Sequence, residues 1–209
     1  MANQDQFFKP GNETTPGLTT VAKMGYFQPL YDTVLVKTGV VTGLSPVLVA
    51  VYTGNRNPIF GINENDSGLG LKEIAQVGDA SRLKAALERQ PEVKQVHVLG
   101  DKDFGPGTKV EKTISVNGAD KIAFATMFGS SNDWFYANNR PIDANTTGDI
   151  TSSVSLYDDG TAVSQYPGAG NAQPGFANRP ITENLPIREV KDTAFPVPAV
   201  NEVLKVTIG

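Results

Sequence analysis

Turn-forming residues interrupt this chain so often that long helices have little room. Its 209 residues include 21 Gly and 14 Pro, and both break helices and favour turns. Between them lie short segments rich in β-branched side chains, the pattern of an all-β sandwich. Residues 31–40 form the first expected strand. Residues 45–53 are nearly all apolar, which suits a strand covered on both faces, and Gly54-Asn55-Arg56-Asn57-Pro58 closes them with turn chemistry. A short buried strand is expected over residues 93–99. Residues 108–116 alternate, with Val110, Ile114 and Val116 on one face and Lys109, Glu111 and Thr113 on the other. Asn117-Gly118 then predicts a hairpin turn into a strand over residues 121–128. Further strands are expected at residues 150–157, 187–191 and 202–208.

Two stretches follow a helical period instead. Residues 69–77 carry Leu71, Ile74 and Ala75, and residues 80–90 carry Leu83, Ala86 and Leu87, so two short helices are expected between strands. Gly78 is placed to end the first, Asp79 to cap the second and Pro91 to stop it. Lys72, Glu73, Lys84, Glu88 and Arg89 form an ordinary solvated face. Residues 138–148 and 160–180 are expected to be long loops. Residues 1–29, rich in Asn, Gln, Thr, Gly and Pro, are expected to form an irregular N-terminal arm ahead of a domain over residues 30–209. Phe7, Phe8 and Phe27 are candidates to anchor that arm on its own sandwich or on a neighbouring subunit.

Composition removes several functions. A chain of this length buries a core without covalent staples, and with no Cys it has no disulfide, thiolate metal site or cysteine nucleophile. A net charge of -4 with no dense Lys/Arg cluster lacks the electrostatic footprint of a nucleic-acid binder. The longest apolar run, residues 44–52, contains Pro46 and falls well short of the roughly 20 residues that span a bilayer, so no transmembrane segment is expected. Residues 1–9 show neither a basic nor an apolar signal region, so no signal peptide is expected there.

Catalytic chemistry finds little purchase. His97, the only histidine, lies in an apolar strand-like run and is expected to be structural; no G-x-S-x-G elbow accompanies it. Gly105-Pro106-Gly107 and Gly168-Ala169-Gly170 lie in loops without the Lys-Ser/Thr of a phosphate cradle, and are turns. One His and no Cys leave zinc without its usual ligands. Carboxylates remain. Asp133, in Ser130-Ser131-Asn132-Asp133-Trp134-Phe135, and Asp158-Asp159, before Gly160-Thr161, each stand at a strand end in a turn-like setting. Should those strands be neighbours, both loops open at one end of the sandwich and their carboxylates converge, where calcium, a hard cation taking six to eight oxygens, is the natural occupant. The plainer alternative is local, since Asp in turns bonds nearby backbone N–H groups. Trp134 is expected to plug the sandwich edge while its N–H finds a partner.

The same residues carry a family resemblance. Ser131-Asn132-Asp133-Trp134-Phe135, followed by Leu156-Tyr157-Asp158-Asp159-Gly160-Thr161, resembles the S-x-D-W-F and Y-D-A-G-T-[DE] motifs of the spondin N-terminal domain. Upstream, Leu44-Ser45-Pro46 and Gly70-Leu71-Lys72-Glu73-Ile74-Ala75-Gln76-Val77-Gly78-Asp79 resemble its S-P segment and its G-L-x-x-I-A-x-x-G-[DN] helix. The matching order covers about residues 31–208. The resemblance implies an antiparallel, C2-like β-sandwich holding calcium in loops at one end, with adhesive roles in extracellular matrix. It assigns Asp133 and Asp158 as metal ligands. The pattern also departs: the second acid of the D-A-G-T motif falls at Ala162, a loss that weakens a calcium site, while the motif's alanine is replaced by Asp159, a candidate substitute set against the rule that neighbours on an extended segment point opposite ways. The absence of cysteine resembles the bacterial branch of the family.

Two functions follow as expectations. The first is a non-enzymatic, secreted or cell-surface binding and adhesion module, stabilised by calcium, whose partner is a protein, a matrix or surface component, or copies of itself. The second is a structural subunit of a filament, surface layer or particle assembled through the N-terminal arm. A carboxylate pair also serves glycoside hydrolysis, but the turn settings favour ligation, and no enzyme is expected.

Overall fold

A computed structural model describes residues 20–29 (main chain only), 43–105, 107–165, 167, 181–191 and 197–209. The strands, in chain order, are β1 (Thr20–Pro29), β2 (Val47–Tyr52), β3 (Val93–Leu99), β4 (Val110–Val116), β5 (Lys121–Met127), β6 (Trp134–Asn138), β7 (Ile142–Asp143), β8 (Gly148–Asp149), β9 (Val154–Asp158), β10 (Arg188–Glu189), β11 (Leu204–Lys205) and β12 (Thr207–Ile208). Three short α-helices join them: α1 (Leu71–Val77), α2 (Ser81–Leu87) and α3 (Val200–Val203). The strands make two antiparallel sheets, so the chain is an all-β sandwich. In the larger sheet the order is β10-β9-β6-β5-β2-β3 with β7 also on β5; in the smaller, β1 pairs with β4, β11 and β12, and β12 with β8.

Alternation along β2 explains the layering. Val47, Val49 and Val51 enter an interior between the sheets with Phe124, Trp134, Tyr136, Leu156, Ile114 and Ile208. Leu48, Ala50 and Tyr52 enter a second interior under α1 and α2, with Leu71, Ile74, Leu83, Phe135 and Tyr157. All six β2 side chains are buried, as the unbroken apolar run requires when both faces of a strand are covered. The helices lie where their period puts them, with Leu71, Ile74, Ala75, Leu83 and Leu87 buried. Gly78 ends α1 in the left-handed region at φ 72°; the N-cap of α2 is Ala80 and not the expected Asp79, whose Oδ1 accepts from Ser81 N at 2.8 Å from one residue further out.

Several expectations are corrected. Asn117-Gly118 does not join a hairpin: β4 pairs with β1, whereas β5 pairs with β2, β6 and β7. The turn carries the chain from one sheet to the other. The reason is burial, since β4 buries one face at its end while β5 is buried on both faces from Ile122 to Met127. Buried Asp120 fixes the crossing by accepting Asn117 N at 2.8 Å on Oδ2 and pairing with Lys94. The arm expected over residues 1–29 ends in β1, whose main chain is paired on both of its own edges, to β4 on one and to β11 and β12 on the other. Main-chain ladders make it a strand despite its Gly25 and polar residues. Residues 202–208 begin in α3 before β11 and β12, and Thr151–Ser153 form a 3-10 turn before β9, seeded by Asp149 Oδ1 accepting Thr151 N at 2.9 Å. Inside the expected loop 138–148, β7 pairs with β5. The expected strand 31–40 and the anchors Phe7 and Phe8 lie outside the described residues, as does the Phe27 side chain.

Tyr136 illustrates how completely the inter-sheet interior excludes polar partners. Its ring meets Phe128 edge-on at 5.6 Å, and its buried hydroxyl has no hydrogen-bond partner among the described residues. A buried orphan hydroxyl costs about 1–3 kcal/mol of desolvation. Tyr136→Phe is therefore expected to raise stability by about 1 kcal/mol, read as a higher urea midpoint at unchanged slope; a lower midpoint would mean that the hydroxyl is satisfied in solution.

Candidate metal centre

The turn leading into β6 is built by Ser131. Its hydroxyl donates to Phe128 O at 2.6 Å and accepts from Trp134 N at 3.1 Å, while Phe128 N donates to Trp134 O at 2.9 Å. Asp133 thus enters the strand in a fixed register, and β6 pairs with β9 so that Trp134 faces Asp158 and Phe135 faces Tyr157. One step further Asp159 N donates to Asp133 O at 3.1 Å. The expected residues Asp133 and Asp158 therefore stand at the same end of adjacent strands.

Cross-strand neighbours share a face, and consecutive residues do not. Asp158 falls on the face of Trp134, toward the inter-sheet interior. Its Oδ2 accepts from Arg188 Nη2 at 2.7 Å and Ser164 Oγ at 3.1 Å, and its Oδ1 from Gly160 N at 2.8 Å. Ser164 Oγ also accepts Trp134 Nε1 at 3.0 Å, the partner anticipated for the buried indole. Asp133 and Asp159 share the opposite face with Phe135 and Tyr157, under the helices. Asp133 Oδ2 accepts from Thr161 N at 2.7 Å, Ala162 N at 2.8 Å and Thr161 Oγ1 at 3.2 Å. Asp159 Oδ2 lies 3.1 Å from the same Thr161 hydroxyl, which accepts from Gln76 Nε2 at 3.0 Å.

Among the described residues, this arrangement leaves negative charge uncompensated. Asp133 and Asp159 are both 0% exposed, and the Oδ1 atom of each has no partner among those residues. Thr161 has one hydroxyl proton, which serves only one of the two carboxylates beside it. Burial, then the charge of Asp158, push the Asp133 carboxyl up to about 7 against the pull of its three hydrogen bonds. Burial, then the charge of Asp66, push Asp159 up to about 8, with Asp133 and Asp158 adding to it. Buried anions without a counter-charge either take up a proton or bind a cation. Among the described residues, no three His, Asp or Glu side chains are arranged to hold a metal ion. The donors at hand are two acid oxygens, a type that suits a hard cation.

The sequence pointed to Asp133 and Asp158 but not to Arg188, Ser164 or Asp66. Arg188 reaches Asp158 because β10 pairs with β9 in the register Arg188 to Asp158, a pairing between segments 30 residues apart that no local motif announces. Asp66 lies in the loop before α1 with only a local Asx bond, Gly68 N to its Oδ1 at 3.0 Å, as its sequence signature. His97 is half-buried and bonds Gln95 Oε1 at 3.0 Å; burial, Lys112 and Lys84 lower its pKa. Among the described residues, no helix is long and apolar enough to cross a membrane. No protein-family model matches the chain, and no curated protein matches it.

Proposed function

We propose that this protein is a non-enzymatic extracellular or cell-surface binding module of the spondin N-terminal kind, stabilised by calcium at the end of the sandwich where β6 and β9 meet. One observation carries the calcium reading: two fully buried carboxylates in that end each keep an oxygen with no hydrogen-bond donor among the described residues. The motif strings that resemble the family, around Asp133 and Asp158, lie side by side on paired strands, which supports the kinship. Burial supports a non-enzymatic role, because acids at 0% and 4% exposure do not reach a substrate. Calcium, when bound, supplies two positive charges to a pocket that holds uncompensated negative ones. The binding and adhesive part, and the location outside the cell, rest on the resemblance.

Titration of the chelator-stripped chain with calcium tests the reading. Binding heat is expected, with a rise in melting temperature of about 5 °C or more at a hundredfold excess over Kd. Neither heat nor shift at millimolar calcium would remove the calcium part.

A further inference from the structure

The resemblance names Asp133 and Asp158 as ligands, but the strand register divides them between two faces of the sheet. Asp158 has its charge answered on its own face by Arg188, with Ser164 and Gly160 N completing its bonds. A cation drawn to Asp158 meets the guanidinium bonded to it. Asp133 and Asp159 are the cross-strand pair, on the helix side, where the described structure records no cation bonded to either. Each keeps a buried Oδ1 with no partner among the described residues, while their Oδ2 atoms share the one Thr161 hydroxyl. Asp66 is the outside charge that Asp159 feels most; it lines an open cleft of about 200 Å³ that also holds the Arg56–Glu64 ion pair. Ala162 fits the same picture: where the family motif has an acid, this chain offers only the backbone N–H that bonds Asp133.

We propose that calcium is held on the helix side of the large sheet by Asp133 and Asp159, and that Asp158 is a structural partner of Arg188 and not a ligand. Asp159 thereby replaces the carboxylate missing at Ala162. This rests on the calcium reading above and specifies its ligands.

Calorimetric titration with calcium chloride of the full chain and of isosteric variants separates the two claims. Asp159→Asn is expected to weaken calcium binding about 30-fold or more, since affinity follows ligand charge and count. Asp158→Asn is expected to stay within about threefold of the parent. Asp159→Asn is also expected to melt higher than the parent in chelator at pH 8, because it removes one of two repelling buried anions. A ligand lost through mere unfolding would melt lower. Should Asp158→Asn fail to fold, Arg188→Gln decides: affinity within about threefold supports the helix-side pair, whereas tightening by about tenfold or more would make Asp158 a ligand that Arg188 restrains. If the parent binds and Asp159→Asn binds equally well, this inference is overturned while the calcium reading stands. If the parent itself does not bind, both fall.

Discussion

In chelator, the folded chain should lose stability as the pH is raised from 6.5 to 8.5. The unfolded carboxyls of Asp133 and Asp159 titrate near 3.8, but in the fold they titrate at about 7 and about 8. Between those limits the native state holds protons that the unfolded state has released, so stability falls with rising pH and levels off above the folded values. Below 3.8 both states are protonated and the two groups are neutral to stability. The fall from pH 6.5 to 8.5 should be on the order of 2 kcal/mol. The lower limit keeps His97 out of the window, because its lowered folded pKa makes stability rise with pH only below its ordinary value of 6.5. Urea midpoints at the two pH values check this. Saturating calcium should flatten the dependence by stabilising the ionised pair most at pH 8.5. A midpoint that stays level or rises in chelator would mean that the carboxylates are compensated in solution by something other than a proton.

The second large effect is expected at Gly160. Its φ of 70° lies in the left-handed region, and a Cβ there would stand 2.2 Å from Leu185 O. The contact is with main chain, which cannot swing aside. Gly160 O also accepts Leu185 N at 2.9 Å, and Gly160 N donates to Asp158, so displacement strikes both of these bonds and, through Asp158, its pairing with Arg188. Gly160→Ala is expected to cost about 3 kcal/mol or more and to abolish the calcium response. Gly107 is the control: φ is 78° but a Cβ added there would meet nothing within 4 Å, so Gly107→Ala should cost only about 1–2 kcal/mol. Equal losses in thermal unfolding would show that backbone conformation, and not the close approach to Leu185, sets the cost.

Much of the fold was legible in local chemistry. The apolar run at 45–53 gave a strand covered on both faces, and helical spacing with Gly78 and Asp79 gave α1 and α2. Pairing was not legible. Asn117-Gly118 is a strong local turn signal, yet a turn between strands does not say whether they lie in one sheet, and the burial of β5 on both faces sent it to the large sheet. The strand β1 has no apolar alternation, because main-chain bonds to neighbours distant in sequence define it. The site divides in the same way. Motif order brought Asp133 and Asp158 to one end, but alternation separates Asp158 from Asp159, and only the register with β6 shows which of them Asp133 meets. Sequence neighbours were visible; the decisive neighbour lay across the ladder.

Strand β2 is a wall common to two interiors, with Val49 facing one and Ala50 the other. Adjacent labels along this single strand would therefore report separate environments. Isotopic labels on the methyl groups of Val49 and Ala50 should respond unequally when calcium is added: Ala50, on the side of Asp133 and Asp159, shifts more, and Val49 serves as an internal reference one residue away.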